Sequence, residues 1–435
     1  MDGPMDHVEL RPGDRVALLV PGSAAYVDLV IALLAAGIFP VPLDPNLTAS
    51  EREAILADVH PRLVVDDSDQ LARMAAATPE RDRRGLPLGR PMHVTSGTTG
   101  RPKGVFSGIL DEAGAHALLG EERDLWGFRA DDVNLVLSPL YHSAPLRFAM
   151  GTVLAGGRIV IPGDGVQQSL DPAAVTEAIE RERPTSMFCV PAHLQRLFAH
   201  WDALQGSGAR WPDLSSFRLV AHAGAPCPDQ LKRRLIEAFP AGSTWEFYGA
   251  TEGQFTACRS EEWLRRPGTL GRARPGRRML VDDDGLLWCE APAYARFEYF
   301  GDPVKTSAAW RGEAFTVGDL GGIDGDGYVH LDARREDLVI SGGVNVYPAE
   351  VENVLGEAGG VQEIAVFGVP DEQWGQRVCA AYVGDADPGD LTGYAREHLT
   401  PAKRPKQYRR VDVLPRIATG KVRRLDLPDL LGGSG

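Results

Sequence analysis

Lysine is scarce in this chain, with six residues (Lys103, Lys232, Lys305, Lys403, Lys406, Lys421) against forty arginines. Arginine supplies the generic positive charge, so each lysine position invites a chemical reading of its own. Cysteine is sparse as well: Cys189, Cys227, Cys258, Cys289 and Cys379 are scattered, without the paired spacing of a metal site or a disulfide framework. That usage fits a reducing cytosol. Positive charge is outnumbered, 46 Lys+Arg against 60 Asp+Glu, and the net charge of −14 disfavours nucleic acid or an anionic membrane as the main partner. Small anions need only a local cationic site. Long apolar runs are missing too. The most apolar stretch, "LVIALLAAG" from Leu29 to Gly37, is too short to cross a bilayer, and the N-terminus shows no basic region followed by an apolar core and a cleavage site. The expectation is a cytoplasmic protein with no membrane span and no nucleic-acid partner.

What is present is length and alternation. A chain of 435 residues is long enough for two or more domains. Short apolar runs, "DRVALLV", "IFPVPLD", "PRLVVDD", "NLVLSPL", "GRIVIPG", "TSMFCVP", "FRLVAHA" and "STWEFYG", read as strands, several of them apolar throughout as in sheets covered on both faces. Helix-length segments lie between many of them, such as Ala24 to Ala36, Pro172 to Arg183 and Pro228 to Phe239. The pattern predicts an α/β fold: a large N-terminal domain with mainly parallel sheets. From Pro267 to Gly301 shorter strands and turns, with a hairpin at Asp284-Gly285, predict an antiparallel subdomain. A further alternation follows: a helix from Pro348, strands "IAVFGV" and "RVCAAYV", a helix near Leu391 to Leu399, and strand "YRRVDVL". It predicts a small C-terminal α+β domain. The expected division is 1–335 and 336–435, and the tail "GGSG" reads as a flexible end.

The stretch "HVTSGTTGRPKG", residues 93–104, is a strand running into a loop of small hydroxylated residues and glycines. Gly97, Thr98, Thr99 and Gly100 permit a tight turn whose N–H groups converge on an anion, and Thr95, Ser96, Thr98 and Thr99 add hydroxyl donors. Lys103 supplies charge. The order does not match the Walker pattern, which needs Gly-Lys followed by Ser or Thr, so an ordinary P-loop NTPase is a poor reading.

Instead the loop resembles the phosphate-binding signature of the adenylate-forming superfamily, which includes the acyl-CoA synthetases. Further stretches are similar and in family order: "FYGATEG" (Phe247 to Gly253), "FTVGDLG" (Phe315 to Gly321), "DARREDLVISGGVNVYPAEVE" (Asp332 to Glu352) and "PRIATGKVRR" (Pro415 to Arg424). The resemblance implies that a carboxylic acid attacks ATP to give acyl-AMP and pyrophosphate, after which the small domain moves and a thiol attacks the acyl carbon. It implies that Thr95 to Lys103 cradle the β and γ phosphates, Thr251 touches the α-phosphate, and Glu252 holds Mg²⁺. It places Asp319 on the ribose with Arg334 nearby, and Tyr248 with Gly249, Gly224 and Ala225 at the adenine. Lys421 would bridge the attacking carboxylate and the α-phosphate. Gly342 and Gly343 would admit the pantetheine arm of CoA, with the pivot at Glu336.

"SPLYHSAPLRFAM" (Ser138 to Met150) resembles the acyl-pocket segment and places His142 near the carboxylate, a helix-cap histidine being the competing reading. Arg147 could meet an anionic group on the acid, although a solvated arginine is the ordinary expectation at such a position. With Phe188, Val190 and Met150 as candidate lining, the acyl group is expected to be mainly apolar. Compared with the family, the chain opens almost directly onto "GDRVALLV", an abbreviated N-terminus that leaves a homodimer or a specialised substrate as expectations. Three readings follow: an acyl-CoA ligase using CoA as co-substrate; a ligase that loads a separate carrier protein; and a reduced protein retaining only the thioester-forming step. Lys103, Glu252, Asp319 and Lys421 together favour a complete enzyme.

Overall fold

The computed structural model describes residues 8–95, 103–163, 170–224, 227, 229–333, 339–346, 348–415, 422 and 426–432. The chain begins with three parallel strands, Arg15–Leu18 flanked by Phe39–Pro42 and Leu63–Val65. Parallel neighbours require a crossover, and helix Ala24–Ala35 supplies the first one. Its start is fixed by Ser23, whose hydroxyl accepts from the Tyr26 N–H. Its sequence is apolar nearly all round because both sides are covered: Val27, Val30, Ile31 and Leu34 pack on Val16 and Leu18 in one core cluster.

The second sheet is larger. Strands Arg158–Val160, Val133–Val136, Ser186–Cys189, Leu219–His222 and Thr244–Gly249 lie parallel in that spatial order. Gln254–Arg259 and Arg272–Ala273 then extend it antiparallel. All eight apolar runs therefore form strands, and the α/β reading stands. The change of direction has a local cause: four residues, Ala250 to Gly253, close a turn in which the Ala250 N–H donates to the Gly253 carbonyl at 2.8 Å. Thr251 and Glu252 occupy that turn.

A four-stranded antiparallel sheet follows, with Arg278–Val281 and Leu287–Glu290 as the hairpin expected at Asp284-Gly285. A separate three-stranded sheet sets Glu298–Tyr299 beside Lys103–Phe106, which pairs in turn with Val94–Thr95. The C-terminal region forms its own sheet. Val361–Asp371 and Gly375–Gly384 make a long antiparallel hairpin, Val339–Ser341 and Val344–Val346 extend one side, and Gln407–Arg410 runs parallel to Gly375–Gly384. Helices Pro348–Gly356 and Pro388–His398 accompany it, and its core is built around Val366, Val378 and Leu399. Among the described residues no helix is long and apolar enough to cross a membrane.

Candidate active site

The phosphate-type loop springs from paired strand ends. Thr95 and Lys103 are register partners, and the Thr95 hydroxyl donates to the Lys103 carbonyl at 3.4 Å. The loop between them, with Ser96, Gly97, Thr98, Thr99 and Gly100, lies outside the described residues, as do Ala225, Arg334 and Lys421. Lys103 Nζ stands 3.5 Å from Asp58 Oδ2 on helix Ala49–Val59. Its charge is thus held at the base of the loop.

Glu252 is buried, and its Oε1 accepts from the Tyr299 hydroxyl at 2.8 Å. Tyr299 is available because its strand pairs with Lys103–Phe106, so one small sheet aligns the phosphate-type loop with the Glu252 turn. Arg90 locks the turn from behind by donating to the Glu252 carbonyl at 3.0 Å. Among the described residues no group of three or more His, Cys, Asp and Glu could hold a metal. The donor set at Glu252 is one oriented carboxylate. It fits Mg²⁺ of the kind that completes its shell with phosphate oxygens and water, since that ion prefers hard oxygen donors and is seldom caged by protein alone.

Tyr248 and Asp319, far apart in sequence, are joined directly: the Tyr248 hydroxyl donates to Asp319 Oδ2 at 2.7 Å. The Tyr248 ring is buried and lies against Phe255 with centroids 4.6 Å apart. Gly249, at the end of the same strand, is at a register shift and lies so close to Gln254 that a Cβ there would come within 2.6 Å of the Gln254 oxygen. His142 stands at the N-cap of helix Ser143–Leu154, yet its side chain makes no cap hydrogen bond. The histidine is thus at the cap position, but the satisfied side-chain cap is not found. Burial lowers its pKa below the usual histidine value, partly opposed by Asp44.

Two glycines from distant parts of the chain meet at one side chain. Gly224 (φ +89°) and Gly343 (φ +82°) would place a Cβ 3.4 Å and 3.3 Å from the two methyls of Val190. The "SGG" turn of the C-terminal sheet therefore lies directly against the strand ends of the large sheet. Gly342 (φ +59°) is equally confined, 3.0 Å from Trp374 on the same measure.

A cavity of about 130 Å³ is bounded by helices Glu112–Trp126 and Ser143–Leu154, the segment around Gly89 and the Thr251 turn. Met150 lines it as expected, with Leu118, Leu119, Leu146 and Leu154. Phe188 does not: it is absorbed into an aromatic cluster with Phe148 and Phe247. Arg147 is not solvated either. Its side chain is 18% exposed, it borders the cavity, and its Nε lies 3.5 Å from Glu122 Oε2. Burial lowers the Arg147 pKa to about 10, so it remains charged at neutral pH. Burial would raise the Glu122 carboxyl, but Arg147 and Arg274 overcome it and bring it to about 2. Burial also takes His93, another lining residue, down to about 3. The neutral ring then donates from Nδ1 to the Tyr141 carbonyl at 3.2 Å and leaves Nε2 as an acceptor.

The sequence reading missed Arg90, Glu122, Arg277 and Tyr299. None lies in a motif; only the adjacent acids Glu121 and Glu122 and the arginine-rich "GRARPGRR" (271–278) hinted at a buried charge cluster.

The family model described as AMP-binding enzyme matches residues 5–88 and 92–290, and the AMP-binding enzyme C-terminal domain matches 350–421. A feruloyl-CoA synthase of Amycolatopsis sp is 34% identical over 457 aligned positions, covering 95% of this chain and 88% of that protein. A double mutant of the o-succinylbenzoate CoA synthetase of Bacillus subtilis, bound with the product analogue OSB-NCoA, superposes with a TM-score of 0.81 at 27% identity, over 97% of this chain and 89% of that one. The same enzyme with its acyl-adenylate intermediate OSB-AMP gives 0.63 at 26% identity, over 96% and 88%.

Proposed function

The chain belongs to the AMP-binding enzyme family, in the acyl-CoA ligase branch of the adenylate-forming enzymes, and from that premise we propose that it joins a carboxylic acid to CoA in two steps at one pocket. In the first, a carboxylate oxygen of the acid attacks the α-phosphorus of ATP, and the bond to pyrophosphate breaks to leave acyl-AMP. In the second, the CoA sulfur attacks the acyl carbon, AMP departs with the electron pair of the broken C–O bond, and the thiol proton passes to water.

Phosphoryl transfer demands placement and charge neutralisation more than covalent participation. Lys103 exchanges Asp58 for the phosphates that residues 95–100 cradle, and Thr251 approaches the α-phosphate. Glu252, oriented by Tyr299, holds Mg²⁺, which supplies neutralisation of the polyphosphate charge. Tyr248 aims Asp319 at the ribose hydroxyls, with Arg334 beside it, while Gly224, Ala225, Tyr248 and Gly249 border the adenine. His142 faces the reacting carboxylate, and Lys421 bridges it to the α-phosphate. The acyl group fills the cavity beside Thr251. Residues 336–435 then turn as a body against 1–335 and bring Gly342 and Gly343 to the pantetheine arm.

The meeting of Gly224 and Gly343 at Val190 carries this reading, because it sets the surface assigned to the thioester step against the surface assigned to the nucleotide. The higher similarity to the OSB-NCoA complex than to the OSB-AMP complex of one enzyme supports the same arrangement. The test is mass spectrometry of products from Mg-ATP and a panel of carboxylic acids in cytoplasm-like buffer, with and without CoA. Acyl-AMP without CoA and acyl-CoA with it are expected. A phosphopantetheinylated carrier protein run in parallel decides the acceptor, CoA being expected to be preferred. Light scattering on the same sample reads the expected homodimer.

A further inference from the structure

The wall of the acyl cavity is electrostatically unbalanced. Arg90, Arg147, Arg274 and Arg277 surround or back it, against the carboxylates of Glu121, Glu122 and Glu252. Three of the guanidiniums make hydrogen bonds, although Arg274 Nε and Nη1 and Arg277 Nε are also buried without a partner. Arg274 donates to Glu122 at 2.7 Å and lies 3.0 Å from Glu121, Arg277 donates to Glu121 at 2.5 Å, and Arg90 donates to the backbone carbonyls of Glu252, Ala295 and Arg296. Arg147 has the 3.5 Å ion pair with Glu122 and, alone of the four, no hydrogen bond among the described residues. Glu122 already accepts from Arg274 and from the Trp126 indole, and neither Nε nor Nη2 of Arg147, both buried, makes a hydrogen bond. The guanidinium is nonetheless fixed in place, 5.1 Å over the Phe247 ring and 5.9 Å from Phe148. A buried donor with no acceptor costs free energy unless something else supplies one, and this one sits on the wall of a cavity.

The cavity also sets a length. Arg147 lies five residues after His142, the N-cap of helix Ser143–Leu154, whose first residue lines the cavity; that is about 7.5 Å along the axis at 1.5 Å per residue. A volume of about 130 Å³ is close to the roughly 150 Å³ of a cavity that accepts one benzene ring. Resting on the ligase reading above, we propose that Arg147 selects dicarboxylic acids: one carboxylate reacts near His142, an apolar body of about one ring fills the cavity, and the second carboxylate receives the free donors of Arg147. The second carboxylate cancels the excess positive charge.

The test uses matched pairs that differ only at the far end, terephthalate against 4-methylbenzoate and suberate against octanoate, with pyrophosphate release as the readout. The wild-type protein is expected to favour the dicarboxylate by about 10- to 100-fold in kcat/KM, the range for one charged hydrogen-bonding group. Arg147→Met is expected to invert that ratio, and Arg147→Lys to restore part of it. Equal loss on both members of each pair in Arg147→Met would overturn the proposal, since Arg147 would then serve the reacting carboxylate or the fold. Wild-type preference for the methyl-ended acids would overturn it as well. Calorimetric binding of terephthalate to the wild type and to Arg147→Met reads Arg147 without turnover, and comparable binding by the two counts against the proposal. Absence of acyl-AMP from every acid overturns the ligase reading, while loss of terephthalate binding in Arg147→Met still supports Arg147 as the anion donor.

Discussion

The ammonium of Lys403, between helix Pro388–His398 and strand Gln407–Arg410, lies 3.5 Å from the carboxylate of Glu51, in a helix of the first parallel layer. Glu51 serves both sides of this contact. Its Oε2 caps its own helix by accepting from the Thr48 N–H at 3.0 Å, while Oε1 accepts from the Thr400 N–H at 3.3 Å. Lys403 also donates to Glu350 at 2.6 Å. Burial alone would lower the Lys403 pKa, but Glu350 and Glu51 outweigh it and raise it above the usual lysine value. A buried, shared lysine thus ties the C-terminal region to the N-terminal one in the arrangement that resembles the OSB-NCoA complex.

Removing that lysine should act on one half-reaction. Lys403→Met leaves two buried carboxylates facing each other, a loss of about 3–5 kcal/mol for a broken buried pair. We expect thioester formation from supplied acyl-AMP to fall at least 10²-fold, with a smaller change in adenylation, since the contact belongs to one arrangement. Single-turnover assays of each half-reaction measure this, and equal losses in both would show that the contact persists throughout the cycle.

Lys421 presents the opposite case. In the proposed role of a bridge between carboxylate and α-phosphate, its replacement in Lys421→Ala should lower adenylation by about 10²- to 10³-fold, the usual scale for one preorganised electrostatic donor. Conversion of supplied acyl-AMP to acyl-CoA should be largely retained. Arginine should not rescue it, because a planar guanidinium does not replace a compact ammonium on a flexible stem.

The Tyr248–Asp319 hydrogen bond gives a nucleotide-side prediction. Tyr248→Phe keeps the ring against Phe255 and removes the 2.7 Å contact. A hydrogen bond to a charged group is worth about 1.5–3 kcal/mol, so KM for ATP should rise by about tenfold or more. kcat with saturating ATP should change less. An unchanged KM would mean that Asp319 does not hold the ribose.

The strands were legible because their apolar runs are short, β-branched and bounded by turn residues, and parallel order followed from the helices between them. The residues proposed to face the nucleotide could be named because they fall within contiguous motifs, Tyr248 and Glu252 in one and Asp319 in another. The second layer was not. Tyr299 reaches Glu252 only because its two-residue strand pairs with Lys103–Phe106, and nothing local in "RFEYFG" announces such a pairing. Arg147 was misread for the same reason. Among forty arginines one more looks like surface, and its burial depends on Glu122 from a different helix and on Phe247 from a strand.

Acid should weaken the fold through His93. Its folded-state pKa of about 3 lies below the unfolded value near 6.5, so the unfolded chain binds more protons between these limits and stability falls as pH drops through that window. Above about pH 7 the group contributes nothing to the slope. His193, brought down to about 4 by burial, acts in the same direction. His93→Gln should flatten the decline of Tm between pH 6.5 and 4, read by calorimetry at fixed ionic strength. An undiminished slope would place the proton uptake elsewhere.

The glycine pair at the C-terminal turn permits the sharpest separation of the two steps. Gly343→Ala forces a Cβ onto a residue at φ +82°, 3.3 Å from Val190, and strain of this kind costs about 1–3 kcal/mol. The cost arises where the turn is pressed against Val190, so acyl-CoA formation should fall by about tenfold or more while acyl-AMP formation is largely kept. Val190→Ala in the same chain removes the methyls but leaves the backbone strain. Partial recovery in the double variant would attribute part of the loss to crowding between the turn and the pocket, whereas no recovery would attribute it to the turn's own conformation. Either result requires Gly343 to be at the thioester surface, and an equal loss of both half-reactions would remove it from there.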